Sequence, residues 1–179
     1  MVARVRAGDA RAFEALFRAH YGALCAFAAR YVRDPAVAEE LVQDLFAELW
    51  ARRAAWSPSG TSVRAYLFAA VRNRSLNLRR RDALEADWAR DEAAPEVRML
   101  HPRPVTADAA LERAEAYARL DAALERLPER CRLVMQLRWR EGLSYAEIAG
   151  VMGISPKGVE NQLARGLRAL RDALQGVLR

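Results

Sequence analysis

Apolar residues return every three or four positions through most of the chain and never alternate over a strand's length, so the elements it predicts are helices. Residues 2–32 read as helix in two pieces. Gly8–Asp9 breaks the first, Asp9 caps the second, and Phe13, Leu16, Phe17, Tyr21, Leu24, Phe27, Ala28 and Tyr31 form its apolar stripe. Asp34–Pro35 starts another helix, through about residue 53. There Leu41, Leu45 and Leu49 stand four apart, and Val42, Phe46 and Trp50 widen the stripe. Residues 55–62, AWSPSGTS, concentrate Ser, Pro, Gly and Thr and read as loop. From Ser62 or Val63 a helix turns Tyr66, Leu67, Ala70, Val71 and Leu78 inward. Residues 82–108 lack a sustained apolar period and carry Pro95, Pro102 and Pro104, which reads as an extended linker. A helix over 109–127 follows, with Leu111, Tyr117, Leu120 and Leu124. Pro128 opens the next, with Leu133, Val134, Leu137 and Trp139 on its buried side, and Gly142 ends it. The fold class is all-α: two small helical domains, 1–81 and 109–179, joined by a flexible linker over 82–108.

The most informative stretch is LSYAEIAGVMGISPKGVENQLARGLRALR, residues 143–171. Ser144 and Glu147 have the spacing of a reciprocal capping box, which starts a helix near Tyr145. Ala149 stands where two crossing helices come close, and Gly153 supplies the positive φ of a tight inter-helix turn. Ser155 and Pro156 restart the helix as N-cap and first residue. Val159, Leu163, Leu167, Leu170 and Leu174 then mark its inward side. Lys157, Asn161, Ala164, Arg165 and Arg168 fall on the other. That is a helix-turn-helix whose second helix presents cations, an amide and a small residue to a major groove. With Ser155 and Gln162 these form the candidate duplex-reading set. An ordinary helical hairpin with a solvated basic face is the alternative, and the offsets of Ala149, Gly153 and Val159 weigh against it.

Charge sharpens this picture. The 179 residues carry a net charge of +6, which favours a polyanionic partner, nucleic acid before membrane. Residues 1–81 hold 14 Arg and 7 acids, the linker 3 Arg and 7 acids, and 109–179 hold 12 cations and 9 acids. Two basic modules thus flank an acidic connector. Residues 51–81 contain eight arginines and no acid. Arg72, Asn73, Asn77, Arg79 and Arg80 lie there behind a loop with Trp56, Ser57, Ser59, Thr61 and Ser62, and Tyr66 stands beside it. Aromatics interleaved with arginines next to a loop suit an unstacked single strand, and core packing is the equal alternative for Trp56 and Tyr66. On the helix of residues 35–53, Glu39, Glu40, Asp44 and Glu48 make an acidic side. Periodicity alone favours a solvated face there, and a basic protein partner is the other reading.

No run approaches the apolar length of a membrane span and no signal peptide opens the chain, so a cytoplasmic location is expected. Cys25 and Cys131 read as reduced core residues, and neither His20 nor His101 has ligands at metal spacing. No metal, cofactor, catalytic residue or small-molecule substrate is expected. An enzyme would need a nucleophile–base pair, a phosphate loop or a metal cluster, and the carboxylates on the leucine-striped helix are none of these.

The segments GDARAFEALFRAHYGAL, AEELVQDLFAELW, SVRAYLFAAVRNRSLNLRRR and LPERCRLVMQLRWREGLSYAEIAGVMGISPKGVENQLARGLRALR together resemble, in order and spacing, the regions of a bacterial RNA polymerase sigma factor. The likeness is to the small two-domain extracytoplasmic-function group and covers nearly everything but the linker. It implies core RNA polymerase and promoter DNA as partners. The helix with Glu39, Glu40, Leu41, Gln43, Asp44, Phe46, Glu48, Leu49 and Trp50 would dock on the clamp helices of the largest subunit, and a further contact would lie at the flap region. The loop from Trp56 and the helix through Arg72, Asn73 and Asn77 would recognise and melt the minus-ten element. Asn77 stands where the family commonly has an acid. The helix from Pro156 would read the minus-thirty-five element, and the linker would thread through the polymerase. An anti-sigma factor is implied as a regulator. A helix-turn-helix regulator working without polymerase is the alternative, and it leaves residues 51–81 unexplained.

Overall fold

The computed structural model describes residues 1–32, 34–58, 60–86 and 126–175. Every regular element among them is helical. The chain divides into two compact units, Met1–Arg98 and Met99–Arg179.

The first unit holds α1 (Val2–Arg6), α2 (Ala10–Val32), α3 (Pro35–Ala51), a 3-10 turn (Arg53–Ala55) and α4 (Val63–Ala86). Short polar side chains set the starts. Asp9 Oδ1 accepts from the Ala12 N–H at 3.0 Å, just after Gly8 turns the chain at φ 83°. Asp34 Oδ1 accepts from the Ala36 N–H at 2.8 Å with Pro35 in the first turn, and Ser62 Oγ accepts from the Ala65 N–H at 3.1 Å. Each satisfies a donor that a helix N-terminus leaves open. The core lies where α2 packs against α3 and α4. Leu16, Leu24, Phe27, Val42, Phe46, Leu67, Phe68 and Val71 are buried there. Phe27 meets Phe68 edge to face at 5.0 Å between ring centroids, and Phe17 meets Phe46 at 4.9 Å. Phe13, Phe17 and Tyr21 are only half-buried; Phe17 and Tyr21 stack on each other at 4.6 Å instead.

Two sequence expectations change here. α4 continues to Ala86, past the boundary expected at Arg81, because no proline or glycine interrupts residues 63–94. Phe68, not among the residues expected inward, is a central core residue. The remainder of the expected linker and most of the helix expected over 109–127 lie outside the described residues.

The second unit holds α5 (Glu129–Trp139), α6 (Tyr145–Met152) and α7 (Pro156–Gln175). The capping box is made in both directions: Ser144 Oγ accepts from the Glu147 N–H at 3.3 Å, and the Ser144 N–H donates to Glu147 Oε2 at 2.9 Å. Gly153 ends α6 in the left-handed conformation, φ 62°, and Ser155 Oγ accepts from the Gly158 N–H at 3.0 Å to open α7. Cys131, Val134, Leu137, Ile148, Val159 and Leu163 form the core. Trp139, expected inside, is 54% exposed. The chain turns back at Gly142, bonds the Leu143 N–H to the Leu137 carbonyl at 3.0 Å, and seats Leu143 over the core in its place. Leu167, also expected inside, is 47% exposed, because Gly166 takes the inward position of that turn.

Candidate nucleic-acid interface

α7 turns Val159, Leu163 and Gly166 inward, and at 3.6 residues per turn this fixes its outer face. Lys157, Asn161, Ala164, Arg165 and Arg168 are all exposed there, as expected. Ser155 is exposed at the helix start, where its side chain is used as the cap. Lys157 Nζ lies 2.7 Å from Glu160 Oε2, an exposed pair that a phosphate can displace at little cost. Gln162 departs from the expected set. Its side chain is turned back toward α5, where Oε1 lies 3.0 Å from Cys131 Sγ. It is held as part of the packing beneath the outer face.

In the first unit, α4 presents Asn73, Asn77, Arg79 and Arg80 as exposed residues with Arg72 half-buried. The adjoining loop exposes Ser57, Thr61 and Ser62, and Gly60 bends it at φ 74°. Ser59 lies outside the described residues. Trp56 is corrected. It is 5% exposed, with its ring 6.1 Å from that of half-buried Tyr66. The 3-10 turn directs the indole into the core, so in this conformation it offers no face for a base to stack on.

The acidic side of α3 divides in two. Glu39, Glu40, Gln43 and Asp44 are exposed, and the Gln43 amide donates to the Tyr21 hydroxyl at 3.1 Å. Glu48 instead bonds Arg74 of α4 and lies 3.2 Å from Arg52. The Arg74 hydrogen bond, then the Arg74 and Arg52 charges, hold its carboxyl below the usual range. Leu41, Phe46 and Leu49, expected to touch a partner, are buried against the rest of the first unit, and Trp50 is half-buried between Phe13 at 4.8 Å and the Arg53 guanidinium at 4.6 Å. The apolar stripe of a helix goes to its own core first; only the opposite face is left to a partner. Among the described residues no group of three or more His, Cys, Asp or Glu could hold a metal ion.

A helix-turn-helix whose second helix has an exposed basic face, in a chain whose other unit carries an acid-poor basic helix behind a loop, is the class of a DNA-binding protein of transcription. Residues 16–85 match the family described as Sigma-70 region 2, and residues 117–170 match Sigma-70, region 4. The chain is 31% identical to the ECF RNA polymerase sigma factor SigL of Mycobacterium tuberculosis, over 97% of this chain and 95% of that protein. It is 32% identical to the RNA polymerase sigma factor CarQ of Myxococcus xanthus, over 96% of this chain and 94% of that one. Among solved structures, the sigma factor RpoE of Bartonella quintana, in complex with the anti-sigma factor NepR, superposes with a TM-score of 0.70 at 24% identity, covering 92% of this chain and 98% of that one. CnrH, solved with the cytosolic domain of CnrY, gives 0.61 at 26% identity, covering 98% and 95%. The chain belongs to the sigma-70 family, in its extracytoplasmic-function group. It is a sigma factor, and its function is to direct promoter-specific initiation of transcription by RNA polymerase.

Proposed function

We propose that the two units divide promoter recognition. α7 reads the minus-thirty-five element as closed duplex, with Asn161 and Arg165 reaching base edges while Lys157, Arg168 and the α7 N-terminus hold phosphates. α4 and the loop of residues 57–62 take the minus-ten element as an opened strand, with Arg72, Asn73, Asn77, Arg79 and Arg80 along its backbone. The exposed acids Glu39, Glu40 and Asp44 dock on the clamp helices of the polymerase's largest subunit, and the second unit meets the flap region. The acidic linker of residues 82–108 passes through the polymerase. Polymerase performs the chemistry, and this chain supplies address and strand opening in the cytoplasm. Because RpoE of Bartonella quintana is held by an anti-sigma factor, we extend the same kind of control to this chain.

The observation that carries the reading is the exposure of Asn161, Arg165 and Arg168 opposite the buried Val159 and Leu163. Run-off transcription with core polymerase tests it, on promoters with native and scrambled upstream elements. Arg165→Ala is expected to abolish the preference for the native element and to leave polymerase binding intact. Equal transcription from both promoters by the wild type would overturn the assignment.

A further inference from the structure

Behind the reading face, α5 and α7 meet along a seam with two rungs. Cys131 and Met135 stand four apart on α5, and both are buried. They face Gln162 and Gly166, four apart on α7, the ridge-into-groove spacing of closely packed helices. On the first rung, Cys131 Sγ lies 3.0 Å from Gln162 Oε1 and 3.3 Å from the Gln162 carbonyl oxygen. Burial pushes the thiol up, against a smaller opposing pull from the Arg165 charge, so it stays protonated and acts as the donor. On the second rung the Met135 thioether occupies the space that a side chain at residue 166 would need. A Cβ built on Gly166 would overlap Met135 Sδ and lie 3.2 Å from its Cγ. Glycine inside a helix is a destabilising choice relative to alanine, and here it lets Met135 lie against the backbone of α7, a packing that any added Cβ would force to shift.

The residues assigned to base readout, Asn161 and Arg165, each directly precede a seam residue. Any roll of α7 at the seam therefore carries them with it. A guanidinium about 7 Å from a helix axis moves by roughly 1 Å for a roll of about 10°, enough to take it out of a good hydrogen bond. We propose that Cys131 and Met135 are positioning residues for promoter readout, setting the rotation of α7 through Gln162 and Gly166. This rests on the reading of α7 as the duplex reader.

A double-variant cycle tests it, using the full chain with core polymerase on promoters whose upstream element is native or scrambled. Gly166→Ala is expected to lower initiation at the native promoter roughly tenfold, with little change at the scrambled one and none in polymerase binding. Adding Met135→Ala removes the overlap, so the double variant is expected to return to within about twofold of wild type. Two unrelated lesions would instead add. Wild-type preference in Gly166→Ala, or a double variant no better than the single one, would overturn the proposal. If circular dichroism shows Gly166→Ala unfolded, the folded double variant decides: wild-type preference supports the seam and lost preference sinks it. If wild type and Arg165→Ala both ignore the upstream element, the duplex-reader assignment fails and the seam proposal falls with it.

Discussion

His20 is half-buried on α2, within reach of the Arg64 charge. Burial, and secondarily Arg64, lowers its pKa from the ordinary 6.5, so the folded chain resists protonating it. Below that value the unfolded chain binds a proton that the folded chain takes up only later. Stability is therefore expected to fall as pH drops from about 7 toward 5.5, and His20→Gln is expected to flatten that slope in denaturant titrations. An unchanged slope in the variant would remove His20 as the cause. Other single residues were legible for local reasons. Asp9, Asp34, Ser144, Gly153 and Ser155 act on backbone groups within a few residues of themselves, so their spacing sufficed. Gln162 was not. A polar residue on the flank of a basic helix reads as a DNA contact until the thiol of Cys131, 31 residues away, is seen to hold it.

Among the elements, α3 shows how a helix's two faces are assigned. Its apolar stripe packs into the first unit and leaves Glu39, Glu40 and Asp44 exposed, while Glu48 is drawn off to tie α3 to α4 through Arg74. Charge reversal at Asp44 is expected to weaken binding to core polymerase roughly tenfold, while Glu48→Gln changes it by less than about threefold. Fluorescence anisotropy of labelled protein against core polymerase separates the two, and equal losses would return Glu48 to the docking face. Periodicity showed that α3 had an acidic side. It could not show which acid an arginine from another helix would claim. Trp56 teaches the same lesson in a loop: its neighbours are Ser, Pro and Gly, yet the 3-10 turn puts it in the core beside Tyr66.

Across the whole molecule, residues 1–81 carry a net charge of +7 and residues 109–179 one of +3, against −4 over residues 82–108. Promoter affinity of the polymerase complex is accordingly expected to fall steeply with salt. Arg80→Ala, at an exposed residue of α4, is expected to weaken binding to all promoters alike and to reduce the salt slope by about 1. A loss confined to particular promoter sequences would show that Arg80 reads bases.

The sequence alone determined the all-helical class, the capped starts of the helices, the helix-turn-helix and its outward cations. These follow from spacing along one chain, where capping, turn geometry and the 3.6-residue period act within about one turn. Tertiary structure decided which of two adjacent positions faces inward and which polar side chains are already taken. Gly166 lies inside against Met135, and Leu167, the next residue, lies outside. Trp139 is left in solvent because Leu143 folds back over the core. Such outcomes depend on which atoms of distant segments compete for the same close-packed volume, and that competition exists only once the helices have met.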